Sequence, residues 1–590
     1  MFAAGSQVFG LNTANFRSFF VDDVWVSIGS DTGIYRPLLL LSVALNVEFF
    51  GNWAAGFHLF NILLHVLVCL VVYGLIRHLL LACGSNFVRS SYIALLAALV
   101  FAVHPVHTEA VNSIFNRSEM LVSLCMAGGL WWFLETVENR PWIAWILLGL
   151  IYFVAMLCRE TGIVMPAITV VFLWVTTSGS RQARLSKCLP VVWLLIPMAI
   201  YLGMRASALE VPFGAAEMAV KIPAEVAQSV AKPEGDAGNV VQTITGSLDT
   251  TYRQSEGDHN VPLLGLVFNL NKILPAVTVW FDSLILIIWP DPLLTFRNPT
   301  QTSQWLALSL QAALFAVSIF WLFQKSPGLF LGLTFFYLTM LPASRIIGEH
   351  GIYPHVAERY LYMPSIGITI TFAFALIWMA RRFTFKAAVI PVLLALIALT
   401  PLTWSRNTEW ASTKGLAEAD FRNGSRSGVI LRTLVKSLFA EGQMEKAAEV
   451  CDKNSDRFPV LWYLAGNCAQ VYATLGRFES AEQAYLTVAK SEEGRSSALF
   501  YLAVMYLSQD RREEAIKLFK QAILEESHPY LKEFRTAEML VELYPSDRKR
   551  LREAKKHLEK SLELEPNYHR TRVVLMNLDR FLSSTETSTN

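Results

Sequence analysis

Residues 101–119 read FAVHPVHTEAVNSIFNRSE and set His104, His107, Glu109, Arg117 and Glu119 between two apolar runs, 91–103 and 119–136, that each look membrane-embedded. Two imidazoles, two carboxylates and a guanidinium are expensive beside a bilayer, and polar groups there usually mark a substrate path or a reacting site. The competing reading is a solvated loop with a helix cap. What lies on either side decides between them.

Outward from this stretch the chain stays apolar. Of 590 residues 53% are hydrophobic, and the mean hydropathy of +0.39 is that of a membrane protein. Upstream, the first convincing span is 57–76, ending at Arg77 and His78, with Arg89 across a short loop. Downstream, apolar runs occupy 142–157, 161–177, 188–205, 304–323, 327–342, 366–380 and 387–403. The run 262–289, broken by Asn269, Asn271, Lys272 and Asp282, reads as a re-entrant or interfacial pair. Met1–Ser30 has no basic segment leading into an apolar one, so neither a signal peptide nor a span is predicted there. Residues 1–56 read as an extracytoplasmic lead-in whose Tyr35-Arg36-Pro37 opens an interfacial helix. Glu217–Asn260, rich in small polar residues, reads as a mobile or disordered loop.

Sidedness follows from the cations, since short cytoplasmic loops are enriched in Lys and Arg. Arg77 with Arg89, Arg181 with Arg184 and Lys187, Lys325, and Arg381 with Arg382 and Lys386 make four basic connections. With these in the cytoplasm, the lead-in, the 104–117 loop, Cys158-Arg159-Glu160, the 206–303 stretch and the 345–364 loop face the other side, and the C-terminus follows them. Net charge is only +2, so no global field argues for nucleic acid. The seven cysteines show no CxxC or CxxH spacing, and neither a zinc site nor a disulfide framework is inferred.

Near residue 403 the apolar runs stop; 404–424 reads as a linker. From 425 to 583 the period is about 34 residues, that of tetratricopeptide helix pairs. Ala447; Ala469, Tyr472, Ala481 and Tyr485; Leu502, Ala503, Tyr506, Ala515, Phe519 and Ala522; and Ala554, Leu558 and Pro566 take the small and large packing positions of four successive units. Residues 584–590 read as a disordered tail. The fold class is therefore all-α: a multi-span transmembrane bundle followed by a soluble tetratricopeptide solenoid, whose concave face suits peptides or partner proteins.

On the extracytoplasmic side this reading gathers Asp22 and Asp23 with Arg36; His104, His107, Glu109, Arg117 and Glu119; Arg159 with Glu160; and Glu358 with Arg359 and Tyr360. Arginines and histidines can hold a phosphate at a membrane surface, and a carboxylate near an acceptor hydroxyl can serve as general base. Ion pairs that merely tie loops to helix ends are the alternative. His58 and His65, seven apart, read as hydrogen-bonded within the bundle rather than as ligands. No DxD-like metal motif is present, and no cofactor is assigned.

Tyr35-Arg36-Pro37-Leu38, then GFHLFN at 56–61 with Leu63-Leu64-His65, FAVHPVHTEAV with Asn116-Arg117-Ser118-Glu119, RETG at 159–162, and VAERYLYMPS at 356–365, all ahead of the repeats, resemble the transmembrane and tetratricopeptide repeat-containing O-mannosyltransferases and their bacterial relatives. The resemblance implies a GT-C type fold that moves a sugar from a polyprenyl or dolichyl phosphate to Ser or Thr hydroxyls of extracytoplasmic proteins, the repeats binding the acceptor. It also implies a catalytic acidic residue early in the first outer loop; family members place a span before their acidic pair and this sequence does not, so either the chain is truncated at its start or Asp22 or Asp23 takes the role, and Glu109 is the further catalytic candidate. Arg36, His104, His107, Glu109, Arg159, Glu160, Glu358 and Arg359 occupy motif positions. Membrane lipids and acceptor proteins are the implied partners. The bacterial inner membrane, which the compact repeat array favours, and the endoplasmic reticulum are both open. A scaffold without catalysis is the alternative, and a transporter is disfavoured because no inverted repeats are apparent. Asn116-Arg117-Ser118 and Asn423-Gly424-Ser425 match the glycosylation pattern.

Overall fold

The computed structural model describes residues 11, 13–21, 34–51, 53–209, 273–295, 303–324, 326–344, 357–492, 494–565 and 568–584. Asp22, Asp23, Lys325, the Glu217–Asn260 stretch, Arg345, Pro566 and the tail beyond Ser584 lie outside them. The described residues fall into two compact units, one up to Ala411 and one from Ser412 onward. They contain helices and turns and no strand.

In the first unit the helices are α1 Thr13–Val21, α2 Pro37–Phe50, α3 Ala54–Ala82, α4 Phe87–Ala102, α5 Thr108–Asn112, α6 Arg117–Thr136, α7 Pro141–Cys158, α8 Met165–Thr176, α9 Arg181–Cys188, α10 Leu195–Ala208, α11 Ile273–Ile288, α12 Gln304–Phe323, α13 Gly328–Met340, α14 Pro364–Arg382 and α15 Phe385–Glu409. Among the described residues six stretches are long and apolar enough to cross a membrane (α3, α7, Arg181–Ala208, α12, α14 and α15), or seven if α4 and the segment after its 57° bend form one. Several start where the sequence says they should: proline opens α2, α7 and α14, where a missing N–H costs nothing, and Asn86, Ser180 and Thr384 accept a backbone N–H at the starts of α4, α9 and α15.

Four expectations need correction. The first span is longer than 57–76; α3 runs through Arg77 and His78, whose polar heads have partners in the Phe87 ring and Glu135. The 104–117 loop is structured, as a 3-10 turn at Pro105–His107 followed by α5, because the Pro105 ring denies α4 its next hydrogen bond. The 404–424 linker is helical too: α15 continues to Glu409, and α16, Thr413–Arg422, packs on the first repeat helix. Finally, His58, in the first turns of α3, is exposed, while His65, two turns further along nearly the same face, is half-buried and hydrogen-bonded to Tyr362 and the Ala102 carbonyl.

Helices α13 and α14 approach each other backbone to backbone. A Cβ on Gly332 would lie 2.4 Å from the Gly367 carbonyl, and one on Gly367 would lie 2.3 Å from the Gly332 carbonyl. Small residues let membrane helices pack backbone to backbone in this way, and the contact fixes α14 just below the Glu358–Leu361 turn.

In the second unit, after α16, come α17 Gly428–Ala440, α18 Met444–Asp452, α19 Trp462–Thr474, α20 Phe478–Val488, α21 Arg495–Ser508, α22 Arg512–Glu525, α23 Pro529–Leu543, α24 Arg548–Leu564 and a final α25, His569–Ser584. The hairpins α17/α18, α19/α20, α21/α22 and α23/α24 start 34, 33 and 34 residues apart. Ala447, Ala469, Tyr472, Ala481, Tyr485, Ala503, Ala515, Phe519, Ala522, Ala554 and Leu558 are all buried. Three of the turns within hairpins use the left-handed region at matching positions, Gly442 (φ 73°), Gly476 (φ 73°) and Asp510 (φ 62°). Cys451 of α18 and Cys468 of α19 are joined by a disulfide with a Cα–Cα distance of 5.6 Å, which overturns the inference of no disulfide. No motif spacing could show it, because the pair meets only when two repeats stack.

Candidate functional site

The bundle has two ends of opposite character. At one, Lys187 pairs with Glu138 and His78 with Glu135, and Tyr92 meets Phe385, so the ends of α3, α6, α9 and α14 that carry Arg77, Lys187, Arg381 and Arg382 gather there. At the other end lie Arg36, Glu109, Glu119, Arg159, Glu160, Glu358 and Arg359, drawn together from four separate stretches.

Arg36, which precedes α2, grips Glu160 with two bonds, Nη2 to Oε1 at 2.5 Å and Nε to Oε2 at 3.0 Å. Arg159 Nη2 lies 3.0 Å from Glu119 Oε1 and its Nη1 donates to Ser118 Oγ at 3.0 Å. Glu109 accepts from the Arg359 backbone N–H at 2.7 Å and from its guanidinium at 2.5 Å. Glu358 faces Arg406 of α15 at 3.3 Å, with both side chains buried. Arg205 of α10 acts on Glu160. Around the Arg36–Arg159–Arg359 rim three guanidiniums are paired one to one with three carboxylates, Arg205 acts on Glu160 from beside them, and Arg406 is shared between Glu358 and Glu409; the arginines gathered there are of the kind that binds an anion.

The histidines are engaged elsewhere, and their tautomers follow from their partners. His104 Nδ1 accepts the Val106 N–H, so Nε2 carries the proton and donates to the Ile287 carbonyl at 2.8 Å. His65 Nε2 meets the Ala102 carbonyl and therefore carries its proton, which leaves Nδ1 to accept from Tyr362 O–H at 2.7 Å. Ser365 Oγ donates to the Tyr362 carbonyl, so His107 Nε2 must donate to it, at 2.9 Å. All three rings are neutral struts tying the His-Pro turn to α3, α11 and α14. Arg117 is also a strut: fully buried, it donates to Asn61 Oδ1, the Ser42 carbonyl and the Phe57 carbonyl and stacks on Phe60.

Of the site residues expected from the sequence, the structure brings Arg36, Glu109, Arg159, Glu160, Glu358 and Arg359 into one region, turns His104, His107 and Arg117 toward the bundle, and does not describe Asp22 and Asp23. Sequence reasoning missed Arg406, Asn61 and Ser118. Arg406 had a signal, a single arginine within the last turns of an apolar helix. Asn61 and Ser118 had none beyond being polar residues inside apolar runs. Among the described residues no cluster of His, Cys, Asp or Glu could hold a metal ion.

The first unit is a helical bundle with stretches long and apolar enough to cross a membrane and a charged rim at one end, and the second is a series of stacked helix hairpins; comparison with known proteins adds what such a chain is similar to. Residues 36–204, which hold Arg36, the histidines, Glu109, Glu119, Arg159 and Glu160, match the sequence model of a family described as dolichyl-phosphate-mannose-protein mannosyltransferase. The chain is 27% identical over 553 residues to protein O-mannosyl-transferase Tmtc3 of Drosophila melanogaster, covering 83% of this chain and 57% of the relative. It is 25% identical over 540 residues to human protein O-mannosyl-transferase TMTC3, covering 86% and 56%, and 26% identical over 446 residues to human TMTC1, covering 69% and 46%. The chain spans about half the length of these relatives. The resemblance carried by the motifs is thus to the protein O-mannosyl-transferases, and it extends over most of the chain.

Proposed function

We propose that this protein is a membrane glycosyltransferase that moves a sugar, mannose by its relatives' names, from a polyprenyl or dolichyl phosphate to Ser or Thr hydroxyls of proteins on the extracytoplasmic side, its repeats holding the acceptor. The observation that carries the reading is the convergence of Arg36, Arg159 and Arg359, from three distant stretches, at one end of the bundle. In the transfer, the acceptor oxygen bonds to sugar C1, the C1–O bond to phosphate breaks, and the lipid phosphate leaves with the electron pair, while a base takes the acceptor proton. The guanidiniums hold the phosphate before and after that bond breaks, when its negative charge grows.

Glu109 is a poor candidate for the base, because both its oxygens are held by Arg359. The base in this reading is Asp22 or Asp23. The carbonyl of Phe20, two residues ahead, accepts from Tyr35, the neighbour of Arg36, which supports that assignment. Sidedness has two supports. The last turns of α15, at Arg406, lie at the rim end, and among the described residues no repeat helix is long and apolar enough to cross back; and disulfides such as Cys451–Cys468 form and persist in oxidising compartments.

The test is transfer of labelled sugar from a synthetic polyprenyl-phosphate mannose to a Ser/Thr-rich peptide by the purified full chain. Activity that falls on the order of 10²-fold or more in Asp22→Asn or Asp23→Asn, comparable to loss of a general base, supports the reading. Transfer absent from the full chain, with acceptor proteins still captured, would favour the non-catalytic scaffold instead.

A further inference from the structure

The Glu358–Leu361 turn places one group at the rim that the ion pairs do not use. Tyr360, half-buried, has the Arg359 guanidinium carbon 4.9 Å and the Arg159 carbon 5.6 Å from its ring centroid. Arginine has no acceptor atom, so toward either guanidinium the phenol oxygen can only accept, and its own hydrogen stays available. Among the described residues no acceptor for that O–H is found. Of the nearby carboxylates, Glu109 is held on both oxygens by Arg359 and Glu160 on both by Arg36, while Glu119 faces Arg159 as an ion pair at 3.0 Å.

We propose that Tyr360 is a substrate-binding residue whose O–H donates a hydrogen bond to the phosphate of the lipid-linked donor, between Arg159 and Arg359. This rests on the glycosyltransferase reading and names the fourth contact of its phosphate site. A phosphate oxygen is an acceptor without a proton, which fits both the unused O–H and the two guanidiniums that flank the ring. The charged groups that face the phenol are Arg359 beside it, Arg159 and Glu119 across it, and Arg36 and Glu160 beyond them. The guanidinium of Arg359, opposed by burial and helped by Arg159, holds the phenol below its ordinary range, which strengthens the bond it donates while it remains protonated. Once ionised, it would face the phosphate as a second anion.

The experiment is binding of a fluorescent polyprenyl phosphate, with the uncharged polyprenol as its control, to the full chain in lipid nanodiscs between pH 6 and 10. Wild-type affinity for the phosphate is expected to fall with rising pH sooner than a free phenol would titrate. Tyr360→Phe, which keeps the packed ring, is expected to weaken phosphate binding about tenfold, as for loss of a hydrogen bond to a charged group, to abolish the alkaline limb, and to leave polyprenol binding unchanged. Tyr360→Phe that binds as tightly as wild type with the same pH profile overturns the assignment while the transferase reading stands. Wild type that does not distinguish phosphate from polyprenol overturns both.

Discussion

Glu119 is the third residue of α6 and Arg159 closes α7; both side chains are almost wholly buried, at 3% and 5% exposed. Two opposite charges taken out of water together tolerate the interior, but one alone does not. Arg159→Gln is therefore expected to cost about 3–5 kcal/mol of stability, and adding Glu119→Gln is expected to restore part of it, measured as the midpoint of thermal unfolding in detergent. The Arg36–Glu160 pair differs, since Glu160 is 39% exposed; its loss is read in activity rather than in stability. Sequence could name these residue types as reactive but not apportion them. His104 and Glu109 stand five residues apart, yet one is a neutral strut and the other an ion-paired carboxylate. What separates them is the arrival of Ile287 and Arg359 from far along the chain.

At the scale of single elements, the repeat turns show what a backbone position demands. Gly442 and Gly476 accept the left-handed region without cost, whereas Asp510 carries a Cβ there. Each forms the same closing pattern: Gln443, Arg477 and Arg511 donate back to the carbonyls of Leu438, Tyr472 and Tyr506, as in the Schellman motif. Asp510→Gly is expected to stabilise the α21/α22 hairpin by about 0.5–1 kcal/mol, seen as slower hydrogen exchange of its amides. On α23, burial and the neighbouring Glu538 push Glu542 up to about 7. A carboxyl raised in the fold favours folding most below the ordinary carboxylate range, and that contribution is lost as pH rises through 7. The melting temperature of the repeats should therefore drop between pH 5 and 8, and Glu542→Gln should flatten the drop. The repeats were legible because their period is local, with small and large residues recurring about every 34 positions. The 3-10 turns at Glu160–Val164 and Glu358–Leu361 were not, because their four or five residues are held by distant ion pairs rather than by their own pattern.

For the whole molecule, the all-α class and the order of bundle before repeats could be read from hydropathy and period alone, and the grouping of the basic connections at one end of the bundle from the placement of Lys and Arg. The Cys451–Cys468 bond could not, and it carries its own expectation. Closing a loop of 17 residues is worth about 3 kcal/mol in the chain-entropy account. Replacing both cysteines with alanine is therefore expected to lower the unfolding midpoint of the repeats and leave that of the bundle unchanged. The same bond also offers a built-in compass. Both sulfurs are fully buried, so in sealed vesicles a thiol reagent unable to cross lipid would label them only once the repeats are opened and the bond reduced, and only from the face on which the repeats hang, which lets the protein report its own orientation without any fused tag.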